Sequence, residues 1–154
     1  MSVLRIQYEL PNFKIKQSEL NTMYRKAYAI VGKHWQAKML PGHFLRGAIE
    51  KYKYQKRDPK YVKYRARVAA KKGRQPVNLV LAGDARDASG SGKIMARKNS
   101  VSIGVPLTHP VQPFVAREVA ATTDQEMDIL SGMFVKAMDQ EIKKFMNRKV
   151  RKNG

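Results

Sequence analysis

The side chains that could support catalysis or metal binding are few in this chain, and their spacing suits neither. No two of the three histidines, His34, His43 and His109, have ligand spacing, and no carboxylate lies at a metal-motif offset from them. His34 lies beside Trp35 on the apolar face of a predicted helix, so we interpret it as a structural histidine. Because the chain has no cysteine, disulfides and thiolate metal sites are excluded. The sequence predicts no metal site.

Two short motifs have a weak likeness to functional sites. Asp84 and Asp87 are three residues apart on a predicted helical turn, where they could act as an acid and base pair. We favour a structural interpretation, in which Asp84 caps the turn and Asp87 pairs with Arg86. The run Gly90-Ser91-Gly92-Lys93 lacks the leading glycine and the serine or threonine after lysine of a phosphate-binding loop. We therefore predict no catalytic residue, no cofactor and no enzymatic activity.

The segment over 51–74 holds the most unusual concentration of charge in the chain. Its eleven lysines and arginines are opposed by one acid, Asp58, so it carries +10 of the formal net charge of +19. Charge of this density must face water, a polyanion or an acidic protein surface. The candidate contacts to a partner or to nucleic acid are Lys51, Lys53, Lys56, Arg57, Lys60, Lys63, Arg67, Lys71, Lys72 and Arg74.

Four tyrosines lie among these basic residues and allow two interpretations. In the first, the bases contact phosphates and the tyrosines stack on nucleobases. In the second, Tyr61 and Tyr64 form the packed face of an amphipathic helix whose basic residues face water. Helical spacing favours the second for that pair, whereas Tyr52 and Tyr54 alternate with lysines and suit a loop or a protein interface.

The elements that must position this segment begin with a strand and a helix. Residues 3–10 alternate between apolar and polar, which predicts a half-buried strand. Ser18 is the predicted N-cap of a helix that ends at Pro41-Gly42. A short helical turn is expected over 44–49.

Further along, Asp58-Pro59 predicts the start of a basic helix that runs to Lys72 and stops at Gly73. Segments 93–97 and 101–105 form a predicted β-hairpin behind a glycine hinge. We predict that this hairpin contacts a neighbouring subunit. Its candidate residues are Gly90, Gly92, Lys93, Arg97 and Asn99.

The last predicted helix has the clearest signals. Thr123-Asp124-Gln125-Glu126 matches a capping box. An apolar stripe follows at helical spacing and consists of Met127, Leu130, Phe134, Met138, Ile142 and Phe145. The strongly basic end, about 147–154, is predicted to be a flexible tail.

These elements predict an α+β fold. In it a small antiparallel sheet with a flexible hairpin is flanked by an N-terminal helix, a basic middle helix and a long C-terminal helix. With 154 residues and 43% hydrophobic content, 1–154 is predicted to form a single domain with its own core. No apolar run approaches the roughly 20 residues of a membrane span.

The order of several motifs resembles a family of tailed-phage proteins. The order begins with Trp35, Phe44, the Tyr52 and Tyr54 pair and a basic helix. It continues with the 76–87 stretch PVNLVLAGDARD, a hairpin, Pro113-Phe114 and a long final helix. This order is similar to that of the neck and tail-completion proteins related to the Mu-like virion morphogenesis proteins. The stretch departs from the family pattern at Asn78, which is inserted, and at Ala82, where the family has threonine.

The resemblance implies a structural protein of the head–tail connection that acts by oligomeric assembly and docking, without a cofactor. It implies localisation in the virion after synthesis in the host cytoplasm. The expected partners are other copies in a ring, connector or adaptor proteins, and tail-tube or tail-terminator proteins. Non-specific contact with DNA is also expected, and contact with a membrane is not. The alternative is a basic nucleic-acid-binding module of ribosomal or nucleoid type that uses 51–74 and 143–152.

Overall fold

A small sheet and two long helices organise the chain. The computed structural model describes residues 2–4, 6, 15–45, 47–71, 73, 91–104 and 118–153, with the backbone alone for 2–4 and 150–153. The elements are β1 (Ser2–Leu4), α1 (Gln17–His34), α2 (Ala48–Lys51), α3 (Pro59–Lys71), β2 (Ile94–Ala96), β3 (Val101–Ile103) and α4 (Asp124–Asn153). The predicted α+β class, with its small antiparallel sheet and long C-terminal helix, is confirmed.

The sheet is antiparallel and has the order β1-β3-β2. In the predicted hairpin, Ile94 pairs with Ile103 and Ala96 with Val101, and the turn is closed by the Arg97 N–H, which donates to the Ser100 carbonyl at 2.7 Å. The predicted strand over 3–10 is confirmed only for the residues of β1. Ile6 lies outside the strand and hydrogen-bonds the Tyr28 hydroxyl, and residues 5 and 7–14 lie outside the described part. The predicted apolar run over 77–81 and the turn at Asp84 also lie outside it.

α1 begins two residues earlier than predicted. Its N-cap is Lys16 rather than Ser18, and the Lys16 main chain is held by hydrogen bonds to the first turn. Its N–H donates to the Glu19 carboxylate at 3.4 Å, and its carbonyl accepts from the Leu20 N–H at 3.0 Å. Ser18 lies inside the first turn, where its carbonyl accepts from the Thr22 hydroxyl at 2.9 Å.

The predicted helix end at Pro41-Gly42 is wrong, because the helical path continues to Phe44. α1 passes into a π-helical turn, Trp35–Met39, in which the Leu40 N–H donates to the Trp35 carbonyl. A 3-10 helix, Leu40–Phe44, follows directly. Proline is tolerated here because it occupies the first turn of this 3-10 helix, where an N–H would have no partner within the helix.

α4 forms as its local signals predicted. The capping box is present, since the Glu126 N–H donates to the Thr123 hydroxyl at 3.2 Å and the Thr123 N–H donates to the Glu126 carboxylate at 3.1 Å. The predicted stripe is buried from Leu130 to Phe145, with Met127 partly exposed. The backbone is helical through Asn153, so residues 147–153 of the predicted tail continue α4, and the flexibility of the tail stays a prediction.

The core lies where α1 packs on α4 on one side and on the hairpin on the other. Tyr28 of α1 and Phe134 of α4 are almost fully buried, and their ring centroids are 4.6 Å apart. The Tyr28 hydroxyl also accepts from the Ile6 N–H at 2.9 Å, which ties the N-terminal segment to α1. Full burial of such side chains contributes about 1.5–3 kcal/mol each.

Candidate interaction surface

The basic segment is attached to the core by two buried carboxylates. The first is Glu126, at the start of α4. One of its oxygens accepts from the Lys51 ammonium at 2.5 Å and from the Tyr52 hydroxyl at 2.9 Å, while the other accepts from the Thr123 N–H. One carboxylate oxygen of Glu126 therefore holds the end of α2 against α4, and the other caps α4 itself.

The second carboxylate is Glu118, which holds the chain between α2 and α3. One of its oxygens accepts from the Gln55 main-chain N–H at 2.9 Å and from the Arg57 guanidinium at 3.0 Å. The other accepts from the second terminal nitrogen of Arg57, which makes the ion pair bidentate. Both side chains are almost completely buried. Arg57, predicted to contact a partner, is thus used internally.

The tyrosine pair before α3 is also buried. Tyr52 and Tyr54, which we predicted to suit a loop or an interface, are 7% and 5% exposed. Both flank His43, which stacks on the Tyr52 ring at 3.8 Å and hydrogen-bonds the Tyr54 hydroxyl through Nδ1. His43 is fully buried, whereas His34, the predicted structural histidine, is only partly buried. The alternation of tyrosine with lysine therefore indicates an inward and an outward side of this segment.

Burial sets the protonation behaviour of this cluster. Burial lowers the pKa of His43 to about 4, against opposing effects of the Glu126 carboxylate and the Glu118 main chain. Burial also raises the pKa of Tyr52 and of Tyr54. For Glu126, burial acts to raise the pKa, but hydrogen bonds from Lys51, the Thr123 N–H and Tyr52 bring it below its ordinary value. At neutral pH the cluster thus contains a neutral histidine and an ionised, fully paired glutamate.

We expect the free energy of unfolding to fall as the pH is lowered from about 6.5 to about 4. In this window the unfolded chain protonates His43 and the folded chain does not, so the loss should total about 3 kcal/mol. The lowered pKa of Glu126 and of Glu141 adds a further loss at lower pH, below about 4.5. Urea unfolding across pH 4–7.5 measures the slope.

The matched variants are His43→Gln and His34→Gln. The first should lose most of the slope between pH 4 and 6.5, and the second should keep it, because it leaves the buried His43 in place. A wild-type stability that does not change between pH 6.5 and 4.5 would contradict this assignment.

α3 is built as predicted but oriented differently. The Asp58 carboxylate accepts from the Lys60 N–H at 2.7 Å, and Gly73, with φ +62°, follows the last turn, so both predicted boundaries are confirmed to within one residue. The predicted packed face is wrong for its two tyrosines, whereas the basic residues predicted to face water are exposed. Tyr61 and Tyr64 are 45% and 54% exposed, and the buried residues of the helix are Arg65 and Ala69.

The basic candidates divide into four groups. Lys60, Lys63, Arg67 and Lys71 are exposed on α3, and none of them forms an ion pair with a carboxylate of the described residues. Lys53 and Lys56 are exposed between α2 and α3. Lys51 and Arg57 are paired internally, while Lys72 and Arg74 lie outside the described part. α3 therefore carries the densest set of uncommitted cations among the candidates.

The hairpin packs on its own chain rather than projecting from it. Val101 and Ile103 are buried, and the Gln36 side chain donates to the Gly92 carbonyl at 2.7 Å, so this glycine lies in a fixed contact with α1's π-helical extension. Lys93, Arg97 and Asn99 are exposed, and Gly90 lies outside the described residues. β2 is an outer strand of the sheet, so pairing with a neighbouring subunit stays a prediction for that edge.

No cluster of histidines and carboxylates that could hold a metal ion occurs within the described ranges. In the same ranges, no helix has the length and apolar character needed to cross a bilayer. No family model, curated protein or solved structure matches this chain. The chemical feature of the described surface is α3, a helix with several unpaired cations beside exposed tyrosines. The segment before its N-terminus is held to the core by the Arg57 and Glu118 ion pair.

Proposed function

We propose that this chain is a structural virion protein of the head–tail connection, a neck or tail-completion protein that acts by oligomeric assembly and docking. The observation that carries the proposal is α3, where four of the five cations are exposed without carboxylate partners among the described residues. A charge of +19 on 154 residues destabilises a solitary molecule by self-repulsion, so a neutralising partner is part of the protein's function. We infer the kind of assembly, a head–tail connection, from the order of motifs, which resembles that of the phage family.

In this proposal the chain has no catalytic role. The buried carboxylates among the described residues, Glu118, Glu126 and Glu141, are each engaged in internal ion pairs. The partners are further copies in a ring, connector or adaptor proteins, and tail-tube or tail-terminator proteins. DNA contact is a non-specific consequence of the charge, and the protein is localised in the virion.

The test is to remove the four free charges of α3 by Lys60→Gln, Lys63→Gln, Arg67→Gln and Lys71→Gln. We expect the melting temperature to stay within a few degrees of wild type, because these side chains face water, and we expect infectious particles to be lost. Complementation of a phage that lacks the protein measures particle yield, and thermal unfolding measures stability.

The control removes four exposed lysines elsewhere, Lys33, Lys38, Lys136 and Lys143, and so matches the change in net charge. It should retain substantial particle assembly. Normal particle yield from the α3 variant would refute the proposal. Equal loss from both variants would indicate that only the total charge matters, as expected for a nucleic-acid-binding module.

A further inference from the structure

Three cations of α3 run beside an apolar stripe of two exposed tyrosines and the partly exposed Val68, and the two features together define one face. At 3.6 residues per turn, Tyr61, Tyr64 and Val68 fall within roughly 60° of arc, which we name the α3 stripe. Lys60, Arg67 and Lys71 fall within roughly 40° of arc directly beside it, which we name the α3 basic row. Both tyrosines are about half exposed, and every member of the basic row is exposed.

We infer that this face binds an acidic amphipathic helix of a partner protein. The inference rests on the proposed function, to which it adds the chemistry of the partner. Apolar side chains at i, i+3 and i+7 match the spacing of a second helix packed alongside. The basic row on one side of the stripe then complements glutamates or aspartates on the corresponding side of the partner, which fixes its orientation.

Nucleic acid is a poorer match to the same face. A duplex presents phosphates to the basic row but has no apolar surface for the valine and the tyrosines of the α3 stripe. A single strand could stack on tyrosine, but one face of the Tyr61 ring is already covered by the Arg65 guanidinium, 5.8 Å from the ring centroid. Arg65 is 8% exposed, so it is held in this position by its surroundings. The stripe therefore favours side-by-side apolar packing over base stacking.

The partner need not be large. Three apolar residues with flanking charges make a small, transient type of contact, whose affinity depends on many such contacts in an assembly. The α3 stripe contributes the apolar contact, and the basic row contributes the orientation, the speed of association and the salt dependence. Removing the apolar side chains and removing the charges should thus have separable effects on the binding of the partner helix.

The test uses the purified full-length chain and synthetic probes in fluorescence anisotropy at physiological salt. The first probe is a helical peptide of about 24 residues with leucines at i, i+3, i+4 and i+7 and glutamates beside them. The second replaces the leucines by alanine and keeps every charge. The third is a short DNA duplex.

We expect the leucine peptide to bind about tenfold more tightly than the alanine peptide. The double variant Tyr61→Ser and Tyr64→Ser should abolish that advantage and leave DNA binding unchanged, because it removes no charge. The control Ile129→Ser, an exposed apolar residue on α4, should keep the advantage.

Equal binding of the two peptides would overturn the inference, as would an advantage that survives the double variant. A large loss of DNA binding in the double variant would also overturn it, since the tyrosines would then stack on bases. The assay does not involve particles or rings. A failure of the head–tail proposal would therefore appear in the complementation experiment and leave the peptide result unaffected.

Discussion

Replacing Glu118 by alanine should lower the free energy of unfolding by about 3–5 kcal/mol. The variant leaves the Arg57 guanidinium buried without its bidentate carboxylate and removes the acceptor of the Gln55 N–H. An uncompensated buried charge costs more than the ion pair itself contributes, so the loss of one partner has a larger effect than the loss of both. Urea unfolding at pH 7 measures the difference.

Two further variants make this prediction specific. Arg57→Leu combined with Glu118→Leu should recover a large part of the lost stability, because no buried charge remains. Glu50→Ala, at an exposed carboxylate of α2, should change stability by less than about 0.5 kcal/mol. A Glu118→Ala protein as stable as Glu50→Ala would show that the buried pair does not hold this segment.

Replacing Gly92 by alanine should destabilise the protein by about 3 kcal/mol or more. A Cβ at this position would lie 1.7 Å from the Gly104 carbonyl oxygen and 3.1 Å from the Gln36 amide nitrogen. Since Gly104 is a main-chain neighbour at the open end of the hairpin, the two strands must separate to make room. The change also disturbs the hydrogen bond that Gln36 donates to the Gly92 carbonyl. Urea unfolding again gives the magnitude.

Gly132→Ala is the matched control, because Gly132 is exposed within α4 and an added Cβ there meets nothing within 4 Å. It should stabilise the protein by about 0.5–1 kcal/mol, the usual difference between glycine and alanine in a helix interior. If Gly92→Ala unfolds at the wild-type urea concentration, the close contact at the hairpin base is absent. A freely moving hinge at this glycine, as the sequence suggested, would give that result.

The elements with strong local signals could be predicted from the sequence. Four predicted features depend on residues only a few positions apart, and each is confirmed. They are the capping box at Thr123, the Asp58 cap, the Gly73 stop and the hairpin. The passage from α1 into a π-helical turn and across Pro41 was not predicted. It depends on how Trp35 and Phe44 are buried, which is a property of the tertiary structure.

The surface and the buried network were harder to predict. The pair of Arg57 and Glu118 joins residues 61 positions apart, and no local pattern identifies it. On α3, periodicity correctly grouped Tyr61 with Tyr64 but could not decide which flank of the helix is buried. The structure buries Arg65 and Ala69, so the tyrosines become part of the exposed face. The small side chain of Ala69 was the one feature of the sequence that indicated close packing of this flank of α3.

We propose that the uncommitted charge of α3 holds this chain in a fixed ring-shaped assembly. Native mass spectrometry of the purified protein, alone and after incubation with virion extract, tests it most directly. The account predicts a closed oligomer of one defined stoichiometry, formed by the protein itself or on a connector. A protein that stays monomeric or dimeric in both samples, and binds RNA or DNA tightly with an affinity that falls steeply as salt rises, would contradict it.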